Sequence, residues 1–224
     1  MSNRRIILPR VILHSAVSAD GRTDGFTPDI GLYYELAGAF KEDCTLAGSE
    51  TILKGTPADW KEDEPPPVDP TRALLAVPDS RGRIRSWGYW KRQPYWRGIV
   101  VLCSMKTLED YLTYLVQEKI EYLIAGEDHV DLRTALQALN ARYGVQRVRV
   151  DSGGILNGVL LRAGLVDEVS LLVHPALVGG ESPRSMFRTA DLAAAGGVVQ
   201  LRLTHSEKLK GDIMWLRYDV VGGK

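Results

Sequence analysis

Apolar residues fall along this chain in short runs separated by turn chemistry, and the runs switch between two periods. Residues 10–17 are an almost unbroken apolar stretch, as in a strand buried on both faces, and close on Ser18-Ala19-Asp20-Gly21, an Asp-Gly turn. Leu32, Leu36 and Phe40 recur at i, i+4 and i+8, which predicts a helix over 31–42. A short strand over 44–48 gives way to a helix opening on Ser49-Glu50-Thr51, which Gly55 and Pro57 keep short. Strands follow over 72–77 and 99–103, with a turn over 78–83 between them. Thr107 is placed to N-cap a helix over 108–118.

The second half repeats the alternation. A strand over 120–126 precedes a helix capped by Asp131, with Leu132, Leu136 and Leu139 on one face and Gly144 at its end. A strand over 146–150, a helix over 154–163 and a strand over 166–174 come next. From 198 to 221 apolar and polar residues alternate, which predicts an antiparallel hairpin turning near Lys210-Gly211-Asp212. This order describes one α/β domain over 1–224, its sheet mainly parallel with an antiparallel C-terminal hairpin. Residues 57–70 are acidic and proline-rich, and Trp87, Trp90 and Trp96 crowd into 87–98. The stretch around 57–98 therefore reads as a surface insert, a lid or a dimer contact.

Composition narrows the function classes. The 224 residues are 45% hydrophobic and 25% charged, and Lys plus Arg (28) balance Asp plus Glu (28). That length buries a core without metal or disulfide, and no basic excess points to nucleic acid. Cys44 and Cys103 sit among apolar residues and read as free, buried thiols; no Cys/His spacing suits a metal. The first residues, with Pro9, Arg10 and His14 inside the apolar run, do not suit a signal peptide, and no apolar stretch approaches the ~18 residues of a membrane span. The expectation is a cytoplasmic protein with no membrane partner.

The chemistry lies in the turns. Ser152-Gly153-Gly154 links a buried strand to a helix. Glycines permit that turn and let a ligand approach the backbone, and the helix start offers unpaired N–H groups to a phosphate. Leu46-Ala47-Gly48-Ser49-Glu50-Thr51 has similar parts at a second strand end, so the pair suits the two ends of a dinucleotide. Neither turn is GxGxxG or a P-loop, and an ordinary strand-to-helix turn remains the other reading. Among other polar residues, Asp20 reads as a turn cap or a functional acid, His14 as a satisfied buried histidine, and Asp167-Glu168 as structural. His174-Pro175 ends a strand, and Arg81 and Arg83 are solvated or bind a phosphate bidentately.

Taken together, SADGR (18–22), AGSET (47–51), PDSRGRI (78–84) and the run from Val150 to Gly180, with Gly164-Leu165-Val166-Asp167-Glu168 inside it, resemble the reductase family of riboflavin biosynthesis. The resemblance spans about Arg10 to Tyr218. It implies a three-layer, dihydrofolate-reductase-like fold, NADPH as cofactor, homodimers, and hydride transfer to the ribose C1 of a ribosylamino-pyrimidine 5′-phosphate. It implies that Gly48, Ser49 and Thr51 line the cofactor and that Ser152, Gly153, Gly154, Ile155 and Leu156 hold its phosphates. Ser18, Asp20, Ser80, Arg81 and Arg83 would face the substrate or nicotinamide, with Asp20 as candidate general acid through a water. The chain departs from the family where Ser152 stands for an acid, Arg22 for a lysine and Gly55 for an aspartate. Those departures keep two other readings open: a reductase of a pterin, folate or other small carbonyl, and a non-catalytic dinucleotide-binding module.

Overall fold

The computed structural model describes residues 7–60, 69–181, 184–192 and 197–222. It is an α/β fold with a mainly parallel sheet and antiparallel C-terminal strands. The elements are β1 (Arg10–Ser18), α1 (Ile30–Ala37), β2 (Cys44–Ala47), α2 (Ser49–Gly55), β3 (Ala73–Pro78), α3 (Trp87–Lys91) and β4 (Trp96–Cys103). They continue with α4 (Glu109–Gln117), β5 (Glu121–Ile124), α5 (Leu132–Tyr143), β6 (Arg147–Asp151), α6 (Gly154–Arg162), β7 (Glu168–His174), β8 (Leu201–Lys208) and β9 (Met214–Val220). By contact density the chain divides into two compact units, one built on Glu42–Val148 and the other on Arg10–Lys41 and Arg149–Lys224.

In the first unit β5, β4, β3 and β2 lie side by side, all parallel. Asp43 sets the start of this sheet. Its carboxylate accepts from the amides of Gln146 and Arg147, and its backbone pairs with Arg147 and Leu74. The core joins Leu75, Val77, Val101, Leu115 and Ile52 to Trp87 and Tyr111, both fully buried. Helix α5 is capped as its sequence dictates: Asp131 accepts from the Thr134 amide, and Gly144 closes it at φ 71°. Cys44 and Cys103 are buried free thiols, and burial pushes each up to about 12.

Three local expectations are corrected. Residues 87–98 are not a surface loop: they form α3 and the start of β4, and Trp87 is the centre of the core. The helix turns Trp87 inward and leaves Lys91 exposed, while Arg92 and Arg97 are half-buried. Thr107 does not cap α4. Its hydroxyl accepts from the Ser104 amide and donates to the Ser80 carbonyl, and α4 begins after Leu108 without a side-chain cap. The helix expected over 31–42 stops at Ala37 and passes through a 3-10 turn to Lys41, which takes φ 49°. The excursion at 61–68 lies outside the described residues.

In the second unit the strand order is β6, β1, β7, β9, β8. β1 and β7 are parallel, with Ser18 opposite His174, whereas β7–β9 and β8–β9 are antiparallel. Register is fixed at the start of β7. Asp167 accepts from the Val11 amide at 2.6 Å, and the buried Glu168 carboxylate is clamped by Arg10 and Arg217. The structural reading of this Asp-Glu pair therefore holds. His14 is likewise a satisfied core residue. It meets the Ser170 hydroxyl and the Tyr33 carbonyl and stacks on the Tyr33 ring, and burial lowers it to about 4, leaving it neutral.

The first unit carries one buried polar chain: Trp87 Nε1 donates to the Tyr111 hydroxyl, which donates to Asp79, which also accepts from the Ile84 amide. Replacing Tyr111 by Phe strands the indole N–H and removes one donor from Asp79. The expected cost is about 1–3 kcal/mol, seen as a lower urea midpoint by tryptophan fluorescence with unchanged slope. An unchanged midpoint would show that the chain contributes nothing.

Candidate functional site

The turn after β6 is built as the sequence expects, but its two glycines have different work. Gly153 is the N-cap of α6, extended at φ −80°, ψ −179°, and no side chain caps the helix. A Cβ on Gly153 would meet nothing within 4 Å. The first N–H groups of α6 therefore open on a bare backbone, the arrangement an anion needs. Gly154 faces the opposite demand. A Cβ there would lie 2.2 Å from the Ser185 carbonyl oxygen, and one on Gly158 would lie 2.4 Å from that of Arg188. Those glycines let the segment 184–189 lie flat on α6.

That segment acts as a strap. Arg188 donates its amide to the Gly154 carbonyl, Met186 to Gly21, and Thr23 to Arg184, while Arg22 and Ser185 form an isolated bridge. The Asp20-Gly21 turn and the α6 start, both expected at the site, are thus brought together through residues that the sequence reading passed over. No local motif marks the strap; its signal is only the small-residue spacing Gly154–Gly158 on the helix it covers.

Asp20 is enclosed by donors. It accepts from the Ser18 hydroxyl at 2.5 Å and from the amides of Val178 and Gly179, with Arg22 Nε 3.9 Å away. The Ser18 hydroxyl and those amides hold its carboxyl down at about 2. The carboxylate, ionised at neutral pH, thereby clips the 18–22 turn to the 176–180 loop. Arg22 joins the clip, donating to the Gly180 carbonyl.

The other expected residues lie in the first unit. Gly48 is the N-cap of α2, a helix of seven residues. The Ser49 hydroxyl accepts from Arg83, whose guanidinium also pairs with Glu50. Thr51 lies in the first turn of that helix. Arg83 is thus engaged with the AGSET turn, Ser80 gives its carbonyl to Thr107, and Arg81 is exposed. Gly55 has a packing reason: the Trp90 ring stands 3.1 Å from where its Cβ would be. Among the described residues no cluster of His, Cys, Asp and Glu could hold a metal. No helix there is long and apolar enough to cross a membrane.

The RibD C-terminal domain profile matches residues 9–215. The chain belongs to the RibD C-terminal domain family. A curated relative from Methanothermobacter thermautotrophicus, named 2,5-diamino-6-ribosylamino-4(3H)-pyrimidinone 5′-phosphate reductase, is 26% identical over 96% of this chain and 99% of its own. A protein of the same name from Aquifex aeolicus is 28% identical over 54% of each chain. Among solved structures, a pyrimidine reductase-like protein from Corynebacterium diphtheriae superposes at TM-score 0.73 with 17% identity, covering 95% of this chain and 92% of that one. Acinetobacter baumannii RibD superposes at 0.70 with 19% identity, covering 96% of this RibD-family chain, which spans 58% of its length. The fold is that of the RibD reductase domains.

The Asp20 clip has a pH signature. Its folded value lies below the unfolded one, so its contribution is present above about pH 4 and fades as pH falls towards 2. Asp20→Asn should lower the thermal midpoint at neutral pH and speed amide exchange in 176–180, and the gap to wild type should close by pH 2. A gap that persists unchanged at pH 2 would remove the carboxylate from the account.

Proposed function

We propose that this RibD-family protein is an NADPH-dependent reductase acting on a ribosylamino-pyrimidine 5′-phosphate in riboflavin biosynthesis. The observation that carries the reading is the uncapped start of α6 behind an open Gly153, in a chain that one curated relative, named as a pyrimidinone 5′-phosphate reductase, matches over 96% of its length. The cradle fits a phosphate group: the amides of Gly154, Ile155 and Leu156 are the donors, and Gly153 leaves the approach clear. NADPH supplies the hydride when bound. The protein's own share is to hold the dinucleotide phosphates at α6, to fix the Ser18–Arg22 turn and the 176–180 loop beside that helix through the strap, and to present the sugar. In this reading Asp20 shapes the loop and does not donate the proton.

The homodimer that the family resemblance implies is consistent with β8, the outer strand of its unit, which exposes Leu201 and Leu203. Light scattering should give twice the chain mass, and Leu203→Arg should shift it to a monomer; a monomeric wild type would end that part.

Gly153→Asp tests the cradle directly. Its backbone conformation suits any residue, and Asp is a favoured N-cap, so stability should hold within about 1 kcal/mol. Its carboxylate would stand in the phosphate approach and should raise KM for NADPH at least about tenfold. Wild type should oxidise NADPH with the diaminopyrimidinone or aminouracil ribosyl phosphate and not with pterins. Binding without oxidation of either would favour the non-catalytic module, and an unaltered KM in the variant would move the phosphates elsewhere.

A further inference from the structure

Asn157 stands one turn into α6, on the same face as Gly154 and Gly158, and is almost wholly buried. Its amide nitrogen is 3.1 Å from the Met186 carbonyl on the strap, 3.3 Å from the Ser152 carbonyl in the turn, and 3.5 Å from the Ser15 hydroxyl on β1. Two carbonyl acceptors fix the amide orientation, since only the NH2 side can serve both. Its Oδ1 is then buried with no hydrogen-bond partner among the described residues. A buried amide oxygen left unpaired opposes folding. An apolar side chain of that size would avoid it, so what the amide secures is the pair of carbonyls.

The Ser152 carbonyl is the informative one. It precedes the helix and belongs to no ladder of α6. The Ser152–Gly153 peptide is trans, as are the others described, and a trans peptide directs its C=O and N–H oppositely. Drawing the Ser152 oxygen inward to Asn157 therefore turns the Gly153 N–H away from Asn157, at a helix start that no side chain caps. We propose that Asn157 is the positioning residue of the anion cradle: it presets the Gly153 N–H as an additional donor to the dinucleotide phosphate and locks the strap, through Met186, to the same turn. The inference rests on the dinucleotide reading above and concerns a residue that need not touch the ligand.

Asn157→Asp is nearly isosteric but sets a carboxylate oxygen against two carbonyls. Titration of the intact protein with NADP+ at pH 7.5 should show at least about tenfold weaker binding, the weight of one hydrogen bond to a charged group. In wild type, NADP+ should slow amide exchange at Gly153; in the variant that protection should be lost while Leu160 and its neighbours stay protected. As pH falls and the new carboxyl gains a proton, it regains a donor, so the ratio of variant to wild-type affinity should recover. A merely structural role would instead lower protection across α6 together and would not single out Gly153. Should Asn157→Asp fail to fold, Asn157→Ser, which keeps a hydroxyl donor of shorter reach, should show the same loss of Gly153 protection. A folded variant that binds NADP+ as wild type does, or keeps Gly153 protected, overturns the proposal. Wild type that does not bind NADP+ at all fails earlier, at the dinucleotide reading, and takes this inference with it.

Discussion

The contact on which the ligand-facing part of this protein depends is one of backbone against backbone: the Ser185 carbonyl pressed onto Gly154. No side chain fits between them. Any other residue at 154 would push the strap off the helix, and with it the Arg188–Gly154 and Met186–Gly21 hydrogen bonds. Gly154 is helical, so no special backbone angle demands a glycine; space alone does. The neighbouring Gly153 has the reverse character, with nothing near it. A dipeptide that looks like one motif thus divides into a packing position and an access position. The second can serve a ligand only because the first has fixed the turn from behind.

Around this contact the second unit spends its buried polar groups on alignment. His14 is held neutral between Ser170 and Tyr33, and Trp215 donates to the same Ser170 hydroxyl. The Tyr33 hydroxyl reaches the His14 carbonyl at 2.9 Å and Asp151 at 3.3 Å. Each element of the chain therefore locates the next: β7 and β9 locate β1, β1 locates α1, and α1 locates the end of β6. Such networks are costly when incomplete and rigid when satisfied. The rigidity falls at the C-terminal end of β6, where α/β sheets place ligands.

What the sequence made legible was local. The parallel strands were readable as apolar runs between turn residues, the C-terminal pair by alternation, and α5 because Asp131 and Gly144 mark both ends with side-chain chemistry. The α6 turn was readable for the same reason. The strap was not, since its partners Gly21, Gly154 and Asn157 lie up to well over a hundred residues away and its own sequence, Arg184 to Thr189, carries no periodicity. Residues 87–98 misled for a related reason: tryptophan beside arginine reads as surface until the helix that sorts them is known. The Asp20 turn was legible as a turn, but its tie to the 176–180 loop was not, because the Val178 and Gly179 amides that meet its carboxylate are invisible from position 20.

The serine at 152, just ahead of the uncapped start of α6, acquires a physical meaning from its neighbour. The acid that this chain does have, Asp151, is turned away from the cradle. Tyr34 donates to it at 3.2 Å, Arg149 pairs with it at 3.2 Å, and Tyr33 stands beside it. Its charge is compensated within the fold. A carboxylate one residue later would stand just ahead of the N-cap Gly153, where its charge would stabilise the helix dipole and repel an anion. With serine there, and with Asp151 engaged inward, the positive end of the helix keeps its full attraction for an anion. Serine at 152 therefore leaves the start of α6 without a competing carboxylate of its own.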